Sequence, residues 1–198
     1  MKPILFVDFD GTICLERYWR SLPEAEHAGI QELLFGNDTK MVHDWMRGHH
    51  SAEEVNKYAS GQLGLDYEYL WNLFVDDCKT MYVSKDVLND IKSLSDRYTT
   101  ILITGNMDSF TRFTVPALSL EDYFDEISNS FYEGRHKTDD NGSLFHKFTD
   151  KYGVSIEECV LLDDSDSVCK IFTELGGTPL QVSPEVPVEV RLAELGRL

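Results

Sequence analysis

Three short apolar runs of this sequence end in groups that could bind a phosphate and a cation. Carboxylates that lie close together repel one another, and a hard divalent cation between them relieves this repulsion. Oxygen ligands and partial hydration favour Mg²⁺ as that cation. The run ILFV is followed by Asp8 and Asp10, the run TILIT ends in Thr104 and is followed by Gly105 and Asn106, and the run VLL is followed by Asp163 and Asp164.

A metal site alone does not account for the groups at the end of the second run. Thr104 supplies a hydroxyl group, and Gly105 lets a phosphate approach the backbone. Free backbone N–H groups there, and at Phe9 and Asp10, could hold the anion. Carboxylates, a metal ion, a hydroxyl group and open backbone are the parts that phosphoryl transfer uses. The residue types therefore indicate phosphoryl transfer.

The pattern of apolar runs predicts the elements that must position these groups. The first run is continuous and not alternating, which is typical of a parallel strand covered on both faces. After about Ser84, strands and helices alternate, so we expect a doubly wound, mainly parallel five-stranded α/β sheet that binds ligands at the carboxyl ends of its strands. The predicted strands are Ile4 to Val7, Thr100 to Thr104, Glu126 to Ser128, Val160 to Leu162 and Leu180 to Val182.

Helical patterns alone fill the chain between the first two strands. Ser21 with Glu24 and Ser51 with Glu54 have the spacing of capping boxes, which mark helix starts. We interpret residues 15–82 as a helical bundle inserted after the first strand. Residues 1–14 and 83–198 would then form the sheet-containing core.

Charge and cysteine content limit the function classes. The formal net charge of −17 disfavours nucleic acid and anionic membranes as partners. The four cysteines contain no C-x-x-C pair, so zinc-site spacing is absent and reduced thiols in the cytoplasm are expected. The first apolar run is too short for a signal peptide.

The motifs resemble those of the haloacid dehalogenase superfamily. DFDGT looks like its first motif, ILITGN its second, and LLDDSDS its fourth. The resemblance implies a Rossmann-like core with an inserted helical cap of the C1 type. It also implies a third motif, a lysine upstream of the fourth, for which Lys137 fits. Lys147 is the rival, although it falls inside a predicted helix.

The resemblance also implies roles for these residues. Asp8 would be the nucleophile and a Mg²⁺ ligand, and Asp10 the general acid and base, with its backbone carbonyl on the metal. Thr104 and Lys137 would hold the phosphoryl oxygens. Asp164 would bind the metal. Asp163 would be either a second ligand or a residue that contacts the ligands without binding the metal itself. Dehalogenating members lack the second aspartate of the first motif, so Asp10 favours phosphate esters.

The sequence therefore predicts a Mg²⁺-dependent phosphatase that acts on a small phosphorylated metabolite beneath a closing cap. Arg20 and Arg47, in the insert, are candidates for contacts with an anionic substrate. A sugar-phosphate phosphomutase would use the same core residues. A receiver-like signalling module that only accepts a phosphoryl group is the alternative outside enzymes.

Overall fold

The computed structural model describes residues 1–37 and 39–197, which form an α/β fold around one parallel sheet. Within these residues the sheet has five strands in the order β3-β2-β1-β4-β5, and every neighbouring pair is parallel. The predicted fold class is confirmed. The strands are β1 (Ile4–Val7), β2 (Thr99–Thr104), β3 (Glu126–Asn129), β4 (Val160–Asp163) and β5 (Thr178–Gln181).

The strand order reverses beside the central strand. From β1 the chain builds β2 and β3 on one side and then crosses over to build β4 and β5 on the other. In an open α/β sheet, such a switch point leaves a crevice at the carboxyl ends of the two strands that flank it. Here these strands are β1 and β4, and aspartates stand at the carboxyl end of each.

Helices cover both faces of the sheet within the described residues. The α-helices are α1 (Glu24–Ile30), α2 (Thr39–Trp45), α3 (Ala52–Leu63), α4 (Tyr67–Lys79), α5 (Lys85–Ser93), α6 (Val115–Leu118), α7 (Ser130–Glu133), α8 (Ser143–Tyr152), α9 (Asp166–Glu174) and α10 (Val188–Arg197). Short 3-10 or π segments lie at Gln31–Asn37, Leu94–Asp96, Phe110–Thr114, Leu120–Asp122, Asp139–Asn141 and Ile156–Glu158. None of the described helices combines the length and the apolar character needed to cross a membrane.

Strand β1 is buried on both sides, which explains its unbroken apolar run. Phe6 points to the layer that contains α8 and α9, where its ring packs edge-on against Phe145 at 5.2 Å and Phe172 at 5.9 Å between centroids. Leu5 and Val7 point to the opposite layer, which contains α5 and α10. A strand held this firmly fixes the position of the residues that follow it.

The insert packs onto that second layer. Its centre is a buried group of rings in which Trp19 lies 4.8 Å from Phe74 and 6.2 Å from Trp45 between centroids. These rings belong to the same apolar cluster as Leu5 and Val7. The apolar side chains of the insert and those on one face of the sheet therefore form one continuous cluster.

The structure confirms one of the two predicted capping boxes. Ser51 accepts a hydrogen bond from the backbone of Glu54, whose side chain accepts one in return from the Ser51 N–H. The box predicted at Ser21 is wrong, because α1 begins after Pro23 without a side-chain cap. The Ser21 hydroxyl instead donates to Asp77 Oδ1 at 2.5 Å, a partner that lies far along the chain.

Replacing Ser51 with alanine should lower the free energy of unfolding by about 1 kcal/mol, because α3 loses the side-chain acceptor at its start. Urea denaturation measures the change. Ser93→Ala is the matched control, since Ser93 is exposed in the last turn of α5. Equal stability losses in the two variants would contradict the capping role of Ser51.

Candidate active site

Three carboxylates converge at the switch point. Asp8 follows β1, Asp163 ends β4, and Asp164 is the next residue. The Asp8 N–H donates to Leu162 O at 2.9 Å, which continues the pairing of the two strands to the site. One oxygen of each of the three carboxylates lies within 4.8 Å of the others. The strand ends thus bring together the acidic residues that the sequence separates by more than 150 positions.

Lys137 lies between two of these carboxylates. Its Nζ donates to Asp163 Oδ2 at 2.5 Å and lies 3.0 Å from Asp8 Oδ1. The lysine and both aspartates are buried. Lys147, the rival predicted from sequence, is half-exposed and pairs with Glu133 at 2.6 Å. Of the two lysines, the structure brings only Lys137 to the carboxylates.

Burial shapes the electrostatics of this group. It raises the pKa of Asp8, and Asp163 adds to that effect while Lys137 opposes it. Burial lowers the pKa of Lys137, but the charges of Asp8 and Asp163 outweigh it and hold the pKa above its usual value. Partial burial and Asp163 also raise the pKa of Asp164. The lysine therefore stays positively charged, and further positive charge at the site would favour the ionised forms of Asp8 and Asp164.

Two buried oxygens at the site have no hydrogen bond within the described part of the chain. Asp8 Oδ1 makes only the ion-pair contact with Lys137, and Thr104 Oγ1, at the end of β2, has no partner. Buried polar atoms of this kind are normally paired. Three clustered carboxylates with a single lysine beside them suit a divalent cation, and a buried hydroxyl without a partner suits an anion. The residues present thus fit both a magnesium ion and a phosphoryl group.

Gly11 is required where the first motif turns towards Asp164. It adopts φ +80°, and a Cβ at this position would lie 2.3 Å from Asp164 Oδ2. The Gly11 N–H donates to Cys14 O at 2.8 Å, which closes the turn. The Thr12 hydroxyl donates a long hydrogen bond, 3.4 Å, to Asp164 Oδ1. The Gly-Thr pair after Asp10 therefore lets the backbone pass close to the carboxylate.

Asp10 is held by Asn106. The Asn106 Nδ2 donates to Asp10 Oδ2 at 2.6 Å. Burial raises the pKa of Asp10 to about 6, although the nearby positive charges of Arg17 and Lys137 lower it. The Asn106 backbone N–H donates to Ser130 Oγ at 3.0 Å, which removes it from the predicted open groups of the phosphate site. The predicted phosphate contact of Asn106 has no support in this geometry, and its contacts connect it to Asp10.

Gly105 faces the insert. Its φ is not positive, and a Cβ there would meet His136 Nδ1 at 3.6 Å and Met46 Cε at 3.9 Å, which are ordinary contact distances. Burial, and next the charge of Arg47, lower the pKa of His136 to about 4, so the ring is neutral at pH 7. The side chains of His136 and Met46 therefore border the space above Gly105. No motif in the sequence indicates either residue as part of the site.

Carboxylates hold the side chains of both Arg20 and Arg47, the two predicted substrate contacts. Arg20 lies 3.3 Å from Glu16 and 3.6 Å from Asp77, and it also donates to Asp77 O. Arg47 pairs with Asp139 through two nitrogens at 2.9 and 3.1 Å. A substrate anion would compete with these carboxylates for both guanidinium groups. Arg47 instead connects the insert to the loop that carries Lys137.

A cavity of about 740 Å³ opens beside Asp164. This size is typical of small-molecule sites. Gly11, Thr12 and Asp164 line the end next to the carboxylates, and Leu15, Tyr82 and Val182 line the outer part.

Comparison with known proteins gives a family match and a set of similar folds. A sequence model of the family described as haloacid dehalogenase-like hydrolase matches residues 3–167. No match was found among curated proteins.

Three similar structures cover nearly the whole chain at low identity, and at such identity they show the fold alone. An HAD family enzyme from Bacteroides thetaiotaomicron, solved with magnesium and inorganic phosphate, is 17% identical with a TM-score of 0.67 over 92% of this chain and 95% of that chain. An HAD-like family hydrolase from Porphyromonas gingivalis is 18% identical with a TM-score of 0.70 over 98% of each chain. The L-2-haloacid dehalogenase from Xanthobacter autotrophicus is 14% identical with a TM-score of 0.60 over 100% of this chain and 83% of that chain.

Replacing Lys137 with glutamine should lower the free energy of unfolding by about 3 kcal/mol in EDTA, because two buried carboxylates lose their only cation in the described structure. Lys147→Gln is the control, and its exposed pair should be worth less than about 1 kcal/mol. Chemical denaturation of both variants checks this. A Lys137 variant as stable as the Lys147 variant would contradict the ion-pair assignment.

Proposed function

The chain belongs to the haloacid dehalogenase-like hydrolase family, and from that premise we propose that it is a Mg²⁺-dependent phosphatase. The observation that carries the proposal is the combination at one place of three carboxylates, a buried lysine and an unpartnered threonine hydroxyl. Carboxylates suit a metal ion, and the lysine and hydroxyl suit a phosphoryl group. The positive charges of the metal ion and Lys137 would attract an anionic substrate locally, against the repulsion from an overall net charge of −17.

The metal site consists, in this proposal, of Asp8, Asp163 and Asp164 with the backbone carbonyl of Asp10. When bound, Mg²⁺ supplies charge that stabilises the transferring phosphoryl group and favours ionised Asp8. The similar enzyme from Bacteroides thetaiotaomicron, which was solved with magnesium and inorganic phosphate, supports magnesium as the metal.

The reaction proceeds in two steps on the protein's own side chains. An Asp8 oxygen attacks phosphorus while Asp10 protonates the departing alcohol oxygen, which leaves an aspartyl-phosphate on Asp8. Asp10, now ionised, removes a proton from water, which attacks the same phosphorus and frees inorganic phosphate and Asp8. Thr104 and Lys137 hold the phosphoryl oxygens in both steps. Burial raises the pKa of Asp10 to about 6, so a larger fraction of this carboxyl group carries a proton near neutral pH than in an ordinary aspartate.

The insert, residues 15–82, serves as the lid in this proposal, and residues 1–14 and 83–198 form the catalytic core. Met46, from the insert, lies over Gly105 at the phosphate site, and Arg47 pairs with Asp139 of the core. A lid of this kind excludes water during attack by Asp8. The close approach of Met46 to Gly105 favours a small phosphorylated metabolite over a macromolecule.

We also propose a cytoplasmic location. All four cysteines are buried and unpaired, which is typical of a reducing compartment.

Burial raises the pKa of the Cys14 thiol to about 11, so this cysteine, although close to the first motif, is a poor nucleophile.

Asp8→Asn should reduce phosphate release by about a thousandfold or more, because the amide cannot act as the nucleophile. EDTA should abolish the activity of the parent, and added Mg²⁺ should restore it. A phosphate-release screen over sugar phosphates, nucleotides and phosphoamino acids identifies the substrate first. Asp122→Asn, at an exposed position, is the control for loss of a carboxylate.

The same screen separates the alternatives. Isomerised product without free phosphate would favour a phosphomutase. A phosphoryl adduct that persists for hours would favour the receiver-like module. Halide release from 2-haloacids without phosphate release would favour a dehalogenase, the activity named for the similar Xanthobacter enzyme. Full phosphatase activity in Asp8→Asn would show that another residue is the nucleophile.

A further inference from the structure

A chain of two hydrogen bonds connects the insert to Asp10. The hydroxyl of Tyr18 donates to Asn106 Oδ1 at 2.6 Å, and Asn106 Nδ2 donates to Asp10 Oδ2 at 2.6 Å. Tyr18 and Asn106 are both buried. Tyr18 lies at the start of the insert, whereas Asn106 and Asp10 follow strands of the sheet. Neither the family match nor the proposed reaction assigns a role to Tyr18.

Two donors on the Asn106 carbonyl oxygen, the Tyr18 hydroxyl and a backbone N–H, hold the amide with its NH₂ group towards Asp10. The Asn106 carbonyl oxygen accepts from Tyr18 and also from the Met107 N–H at 3.0 Å. A backbone N–H can only donate, so a flipped amide would place its NH₂ group against that donor. The NH₂ group must therefore point to Asp10. Without the tyrosine hydroxyl, one backbone contact would be left to hold this orientation.

The position of Tyr18 is itself held by the packing of the insert. Its ring lies 5.6 Å from the ring of Phe74 in α4. The next residue, Trp19, is fully buried and adopts φ +58°, in the left-handed region that costs a bulky residue about 1–2 kcal/mol. The Trp19 indole N–H donates to Asn56 Oδ1 at 3.0 Å, which ties this turn to α3. Strained backbone of this kind concentrates at functional sites.

We propose that Tyr18 is a positioning residue for Asp10: through Asn106 it aims the Asp10 carboxyl at the leaving oxygen when the insert is packed on the core. The inference rests on the proposed phosphatase function. It makes the placement of the acid depend on the insert, because the hydroxyl that orients Asn106 comes from there. Proton delivery to the departing alcohol would then be efficient only with the insert in place.

The leaving group of the substrate gives the test. An alkyl phosphate needs a proton from Asp10 as its alcohol departs, whereas p-nitrophenyl phosphate releases a stable phenolate that needs none. In Tyr18→Phe, kcat/KM should fall about tenfold for the alkyl ester and less than about twofold for the nitrophenyl ester. Purely structural damage would lower both values together. Tyr98→Phe is the control, since Tyr98 and Tyr18 are each 7% exposed and Tyr98 lies outside the insert and the site.

Asn106→Ala provides a second variant if Tyr18→Phe does not fold, and it should show the same dependence on the leaving group. Equal losses on both esters in a folded variant, or no loss on either, would overturn the role of Tyr18. If the parent hydrolyses neither ester in Mg²⁺ and no other phosphate ester in the screen, the proposed function itself fails, and the positioning role fails with it. The two failures are therefore distinguishable.

Discussion

The buried ion pairs of Lys137 with Asp8 and Asp163 are the constraint on which the site depends. Three ionisable groups in a buried crevice are costly unless each is paired. Lys137 satisfies one oxygen of Asp163 and approaches one of Asp8, but a single positive charge cannot balance these two carboxylates and Asp164 as well. The remaining negative charge explains why the site suits a cation, and the sheet explains why the charges cannot move apart.

The fold holds these charges at fixed positions. Strand β1 is packed on both faces, and the hydrogen bond from Asp8 to Leu162 continues the pairing of β1 and β4 to the point where the carboxylates begin. The left-handed conformation of Gly11 then allows the chain to turn close to Asp164. Above the site, the insert contributes Met46 beside Gly105 and, through Tyr18 and Asn106, a link to Asp10. Core and insert thus meet at the same few residues.

Much of the core could be predicted from sequence because its signals are local. Buried parallel strands are unbroken apolar runs, and aspartates at the ends of two such runs must meet when the strands pair. The predicted bounds of the fifth strand, Leu180 to Val182, were less accurate. The strand β5 begins at Thr178, includes Pro179 and is a partly exposed edge strand. Contacts between residues that are far apart in the sequence could not be predicted from it. Nothing near Ser21, Arg20 or Arg47 indicates that Asp77 and Asp139 will bind them, and Tyr18 meets Asn106 across 88 positions.

Calorimetric titration with Mg²⁺ tests most directly whether the convergent carboxylates form a cation site. One ion per chain should bind saturably at millimolar Mg²⁺ or below, and binding should be clearly weaker in Asp164→Asn, whose side chain is exposed enough to be replaced without disturbing the core. Absence of saturable binding, or unchanged binding in that variant, would show that the carboxylates do not form a cation site.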